Sequence, residues 1–260
     1  MEDLREAANI RLQMKQLYQV WRVRFYSVLT VPGFGILYLF TALMILIGMP
    51  FLHLKMKRTV LFLMKFWART VFILIGKRLH IEGVENINKD EKYILMANHS
   101  SLFDIIAIVS FFPGLTWFGH ERLTRIPVFR EVLKLTDYVP MRKTTVKNTK
   151  EMISQLVEKS KSHTIAIFPE GTRTLNGKVN DFYRGFVILL RSTDIDVLPV
   201  TLSGFYELKP KNRFYIGFNS KLSVTIHKPV SRSELINKND IEIIDTVKSI
   251  IESSVKTKAG

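Results

Sequence analysis

The 260-residue chain has no cysteine, which excludes disulfides, thiolate metal sites and a cysteine nucleophile. It has no G-x-S-x-G string either, so the exposed serine of a strand-to-helix elbow is missing. Acidic side chains are scarce: 23 Asp+Glu stand against 38 Lys+Arg, a formal net charge of +15. Such an excess asks for an anionic partner, either nucleic acid or a surface bearing anionic lipid. The zinc ligands, heptad-linked basic region and RNP-like aromatic strand of the common nucleic-acid modules are lacking, so no nucleic-acid partner is expected. No repeat or low-complexity segment occurs.

Apolar residues, by contrast, are plentiful. They make up 47% of the chain, enough for one sizeable α/β domain plus an appendage. Residues 1–26 are mixed in charge and suit a surface helix ending at Arg22 and Arg24. From Phe34 to Leu54 the chain is almost wholly apolar, and no small-residue cleavage site follows, so a cleaved signal peptide is not expected. Between Pro32 and Pro50 there is room for roughly 26 Å of helix, slightly short of a ~30 Å hydrocarbon core. Gly48 and Pro50 predict a bend there. In the next apolar stretch, 59–76, the flanking Arg58 together with Lys65 and Arg69 falls on one narrow stripe of a helix. An interfacial helix lets such a stripe snorkel to the headgroups. Residues 1–77 therefore read as a two-helix membrane element, the first helix entering the bilayer and the second lying in its interface. The alternative is one spanning helix followed by a buried core helix. Lys55, Lys57 and Arg58, with the basic body, argue for the cytoplasmic face, the inner membrane if the source is bacterial.

Residues 78–260 change pattern. Short apolar runs at 79–82, 92–97, 115–119, 138–141, 164–168, 196–201, 214–218 and 222–227 predict strands. Helical periodicity covers 102–111, 126–135, 145–160, 182–192 and 240–256, and the last four residues read as a loose tail. This alternation predicts an α/β fold, a mixed, mostly parallel sheet flanked by helices, with its sites at the carboxyl ends of strands.

Two strings fall at such ends. NHSSLFD (98–104) follows a buried-strand pattern, with Ser100 or Ser101 available as a cap and Asp104 in the first helical turn. In one helix, residues five apart point about 140° from each other, so His99 and Asp104 meet only if the backbone turns between them. Read structurally, Asp104 stabilises the helix start and His99 is a satisfied polar residue. Read functionally, Asp104 fixes the ring tautomer and His99 is a general base. With no serine elbow and no cysteine, the nucleophile is then a hydroxyl carried by the substrate. In FPEGTRT (168–174), Gly171 permits a tight turn, and the N–H groups of Thr172 and Arg173 suit an anion. Arg173 can fork onto a phosphate, and Glu170 can orient it or accept a substrate hydroxyl. The structural alternative is an ordinary strand-end turn with a surface ion pair. Arg142 and Lys143, at another predicted strand end, are further phosphate candidates, and His120 reads as structural.

With these residues in place the chain resembles the glycerolipid acyltransferases, among them the 1-acylglycerol-3-phosphate acyltransferases. The likeness runs from about 80 to 205 through NHSSLFD, YVPMRK, FPEGTRT and VLPVTLSG, in the family's order. It implies the family's fold, with His99 as base and Asp104 as its partner. It also implies Glu170, Gly171 and Arg173 on a phosphate-bearing acceptor, and Pro199 shaping the acyl region. The expected reaction moves a fatty acyl group from an acyl-CoA or acyl-ACP thioester to the sn-2 hydroxyl of a lysophospholipid, 1-acylglycerol 3-phosphate, giving phosphatidic acid. The partners are then donor, acceptor and the membrane bilayer, with no cofactor and no metal. Other acceptors (glycerol 3-phosphate, another lysolipid), hydrolysis by water, and a catalytically degenerate lipid-binding protein are the alternatives. The chain departs from the family pattern at Thr136 and Asp137, where a glycine is usual, and at His120, where a lysine is common.

Overall fold

A seven-stranded sheet with helices on both faces organises the chain, in a computed structural model describing residues 2–125, 130, 133, 138–141 and 145–256. The strands are β1 (Leu79–Glu82), β2 (Tyr93–Ala97), β3 (Thr116–His120), β4 (Val139–Met141), β5 (Ile165–Ile167), β6 (Asp196–Ser203) and β7 (Leu222–Ile226), in the order β1-β7-β6-β2-β5-β3-β4. Among the described strands only β6 and β7 pair antiparallel, so β1 and β7 oppose the other five. Around them lie α1 (Glu2–His53), α2 (Lys57–Leu74), α3 (Phe103–Phe111), α4 (Val146–Ser160), α5 (Gly185–Arg191), α6 (Phe205–Leu208), α7 (Arg232–Ile236) and α8 (Asp240–Ser253). The mixed, mostly parallel sheet matches the expectation.

β2 reads as an unbroken apolar run because both its faces are covered. Tyr93, Leu95 and Ala97 pack with Ala68, Val71 and Phe72 of α2, Ala107 and Ile108 of α3, and Phe205 of α6. Ile94 and Met96 pack on the opposite side with Leu156 of α4, Leu189 and Leu190 of α5, and Ile243 and Val247 of α8. Each fully buried side chain of this size contributes about 1.5–3 kcal/mol.

The topology also locates the crevice. β2 and β5 are neighbours, with Met96 opposite Ile167. Yet β2 leads to α3 on one face and β5 leads toward α5 on the other. The two connections diverge, which opens a cleft at the carboxyl ends of these strands.

Three expectations are corrected. The N-terminal segment is one continuous helix of 52 residues that carries Pro32 and Pro50 inside it, with no separate surface helix. Each proline removes one hydrogen bond at a cost of about 3 kcal/mol, while unwinding the flanks would unpair several peptide groups in apolar surroundings. The stretch from Asn9 to His53 is long and apolar enough to cross a membrane. Second, 214–218 is no strand. Its apolar residues serve α1: the Tyr26 ring lies 6.0 Å from Tyr215 and 5.5 Å from Phe218, and the Ile216 N–H donates to Thr30 Oγ1 at 2.9 Å. Third, the basic stripe of α2 is not given over wholly to snorkelling, although Arg69 is exposed. Arg69 Nε donates to the Ser110 carbonyl in the last turn of α3 at 3.1 Å, where a cation suits the helix dipole. Most of the helix expected at 126–135, and the tail at 257–260, lie outside the described residues.

Candidate active site

Where β2 ends, the Asn98 side chain continues its ladder. Asn98 Nδ2 donates to the Leu202 carbonyl at 2.9 Å and Oδ1 accepts the Leu202 N–H at 2.7 Å. With the side chain held on β6, the main chain turns and places His99 at the cleft. The His99 ring stacks on Phe168 at 4.0 Å and 15°, and Phe168 lies against Trp117 at 5.8 Å. The first residue of the second string therefore sets the plane of the histidine in the first.

His99 Nδ1 lies 2.8 Å from Asp104 Oδ2, which also accepts the N–H groups of Ser100 at 2.6 Å and Ser101 at 2.7 Å. An oxygen on which donors converge is an acceptor, so Nδ1 carries the ring proton and Nε2 keeps its lone pair. Nε2 has no hydrogen-bond partner among the described residues, and the His99 side chain keeps 16% exposure while Asp104 has none. Asp104 thus holds the turn and the tautomer at once. The serine caps take another form than expected: Leu102 stands at the N-cap without a side-chain bond. Ser101 Oγ accepts the Phe103 N–H at 3.3 Å and donates to the Lys209 carbonyl at 2.8 Å.

On the other wall, Gly171 has φ +65°, and a Cβ there would come within 2.8 Å of the Tyr183 ring. Gly171→Ala is expected to cost at least about 1–2 kcal/mol from the left-handed conformation alone. Urea unfolding in detergent measures it, and Tyr183→Ala in the same chain relieves only the clash.

Glu170 is buried, with Oε1 accepting the His99 N–H at 2.6 Å and Oε2 the Asn180 N–H at 2.8 Å. The Thr174 N–H reaches the His99 carbonyl at 2.9 Å, so the second string grips both backbone groups of the histidine. Glu170 acts on the site through the placement of His99. Burial pushes its carboxyl up to about 7 from 4.5, against the two N–H donors that favour the ionised form. A folded-state value above the unfolded one means tighter proton binding in the folded state. The resulting stabilisation is complete below 4.5 and is lost as pH rises through about 7. Glu170→Gln loses one acceptor at every pH, but its stability relative to the parent should improve from pH 5 to pH 8, since the variant does not titrate. Thermal midpoints across that range read the slope.

Arg173 is half-buried. Burial pulls its guanidinium down from the ordinary value, and the nearby Asp104 charge opposes this. Among the described residues Arg173 has no carboxylate partner, and neither its N–H nor that of Thr172 has an acceptor. A fork, two free N–H groups and a hydroxyl on one turn suit an anion. His99, Asp104, Glu170, Gly171, Thr172 and Arg173 are thus brought together. Arg142 and Lys143 lie outside the described residues. Pro199 is buried within β6 opposite Met96, and its carbonyl accepts the His227 N–H at 3.0 Å. His120 is exposed, its carbonyl accepting from the Tyr138 hydroxyl at 2.9 Å. Asn98, Phe168 and the 209–211 segment were not singled out from sequence. Asn98 and Phe168 stand inside the two strings, whereas nothing local marks Lys209 or Lys211.

A histidine-carboxylate pair and a turn with unpaired N–H groups thus stand at adjoining strand ends. The Acyltransferase family model matches residues 78–203, just under half of the chain. The chain is similar to the crystal structure of the 1-acyl-sn-glycerophosphate (LPA) acyltransferase PlsC from Thermotoga maritima. That likeness has a TM-score of 0.77 and 26% identity, over 90% of this chain and 100% of that one. It is 26% identical to a chloroplastic 1-acyl-sn-glycerol-3-phosphate acyltransferase of Arabidopsis thaliana, over 77% of this chain and 57% of the relative. A 1-acyl-sn-glycerol-3-phosphate acyltransferase of Borreliella burgdorferi is 31% identical, over 59% of this chain and 61% of the relative. The chain spans little more than half the length of the first of these curated relatives.

Proposed function

We propose that the protein transfers a fatty acyl group from an acyl thioester, on CoA or acyl carrier protein, to the sn-2 hydroxyl of 1-acylglycerol 3-phosphate. The product is phosphatidic acid. The observation that carries this reading is the pairing of His99 with Asp104, Nε2 free, beside an arginine that has no carboxylate partner among the described residues. His99 Nε2 takes the proton of the acceptor hydroxyl as its oxygen bonds to the thioester carbonyl carbon. The imidazolium formed is held by Asp104. When the carbon–sulfur bond breaks, the departing thiolate takes that proton back. Arg173 and the Thr172 turn bind the acceptor phosphate, with Arg142 and Lys143 as further phosphate ligands. Pro199 shapes the strand beside the acyl region.

The membrane supplies the acceptor. α1 enters the bilayer and α2 lies along its interface with Phe62, Phe66 and Ile73 exposed, residues 1–77 forming the anchor and 78–260 the catalytic body on the cytoplasmic face. Equal concentrations of 1-acylglycerol 3-phosphate, glycerol 3-phosphate and a lysolipid lacking a terminal phosphate, offered together with each donor class, test the acceptor. Preferential acylation of the first supports the reading. Preference for another acceptor replaces it, and free fatty acid without any acceptor points to hydrolysis.

A further inference from the structure

The segment after α6 is fastened on three sides. Ser101 Oγ holds the Lys209 carbonyl at 2.8 Å, next to the catalytic turn. Asn212 Nδ2 reaches the Leu175 carbonyl at 3.5 Å, which the Tyr206 hydroxyl also meets at 2.8 Å, tying the segment to the anion turn. Thr30 of α1 holds Ile216 from behind. Three cations ride on this segment, Lys209, Lys211 and Arg213, and with Arg173 they make a group of four. Among the described residues none of them pairs with a carboxylate.

Their donors are not equally engaged. The Lys209 ammonium is spent on the carbonyls of Pro210 and Arg213, and its pKa is lowered by burial and then by Arg173 and Arg213. Arg213 is spent on the carbonyls of Glu207 and Leu208 and lies 4.6 Å over the Tyr215 ring. Lys211 differs. It is exposed, and its ammonium has one long contact, 3.5 Å to Thr172 Oγ1. Lys211 thus reaches Thr172 from a distant segment, and the N–H groups of Thr172 and Arg173 have no acceptor among the described residues.

We infer that Lys211 is a substrate-phosphate ligand that, with Arg173, selects a terminal phosphomonoester. A monoester carries close to two negative charges at neutral pH and three acceptor oxygens. Two cations and two N–H groups match it, whereas a phosphodiester brings one charge and a substituent where an oxygen should be. Two substrates of the proposed reaction present this group, the glycerol 3-phosphate head of the acceptor and the ribose 3′-phosphate of a CoA donor. The source of the phosphate rests on the acyl-transfer reading; the binding of a monoester does not.

The test uses the full chain in detergent micelles, as parent, Lys211→Ala and Lys211→Arg, with equal thermal midpoints as the folding control. Calorimetry measures affinity for 1-acylglycerol 3-phosphate against monoacylglycerol, and for CoA against 3′-dephospho-CoA. Lys211→Ala should weaken 1-acylglycerol 3-phosphate about tenfold, as expected for one hydrogen bond to a charged group. Lys211→Arg should restore most of that affinity, and monoacylglycerol should not respond. In turnover the loss should appear mainly in KM for the acceptor rather than in kcat. A loss confined to CoA and missing for 3′-dephospho-CoA assigns the site to the donor's phosphate and also carries the inference. Unchanged affinity for both phosphate-bearing compounds overturns it. A parent protein that binds 1-acylglycerol 3-phosphate through Lys211 yet transfers no acyl group sinks the proposed reaction and leaves this inference standing.

Discussion

His99→Ala is expected to lower acyl transfer by about 10²–10⁴-fold or more, the range that a positioned general base supplies. The ring is placed from three directions: Asp104 on Nδ1, Phe168 on its face, and Glu170 with Thr174 on its backbone. Placement this complete has a consequence if proton transfer is the purpose. A substrate hydroxyl has a pKa far above neutrality, and the chain has no cysteine to form a covalent intermediate in its place. The stability cost should be small by comparison, since the His99 backbone bonds survive and the losses are the side-chain bond to Asp104 and the stack on Phe168, about 1–3 kcal/mol. Rates from labelled acyl donor, set beside thermal midpoints, separate the two effects.

Asp104→Asn should lower activity by a comparable ~10²–10⁴-fold, judging by the aspartate of other histidine-centred triads. This substitution discriminates between the two roles that the sequence left open. As a neutral acceptor for the N–H groups of the turn, an asparagine carbonyl can replace the aspartate oxygen. The amide carbonyl of the substituted side chain could still accept the N–H groups of Ser100 and Ser101, so a capping role alone predicts nearly parental stability and activity. If Asp104 stabilises the imidazolium, the lost charge appears in kcat. The amide NH₂ would also stand where Oδ1 now sits, buried and without a hydrogen-bond partner among the described residues, which adds a modest stability cost. A large fall in kcat with a small fall in thermal midpoint is the expected pattern, and the reverse pattern would assign Asp104 to structure.

Much of the fold was legible because it is written locally. β2 announces itself as five apolar residues buried on both faces, and α8 as an amphipathic stretch closed by the reciprocal bonds of Asn239 and Glu242. Among the described residues of 78–260, the strands and helices named from pattern match those observed to within a few residues, apart from 214–218; most of 126–135 lies outside the described residues. That segment misled because an apolar run reports burial, not conformation, and its burial is against α1. Pro32 misled in the opposite sense, since a proline that ends a helix in water need not do so in an apolar segment.

In the site, placement was legible where residue type and strand-end position sufficed, as for the meeting of His99 with Asp104 and the tight turn at Gly171. What depended on distant partners was not. Glu170 looked like a partner for Arg173 and is instead clasped by the N–H groups of His99 and Asn180. Asn98 looked like part of a motif and serves as a side-chain extension of a ladder to Leu202. Lys211 is 38 residues beyond Arg173 in sequence, and only the anchoring of its segment brings it to Thr172.

The central claim is that His99 moves the proton of a lipid hydroxyl onto a departing thiol. The most direct test is mass spectrometry of the products formed from 1-acylglycerol 3-phosphate and an isotopically labelled acyl thioester, by the parent protein and by a folded His99→Ala variant. The account predicts labelled phosphatidic acid from the parent and none above background from the variant. Equal labelled product from both proteins, or labelled free fatty acid in its place, would contradict it.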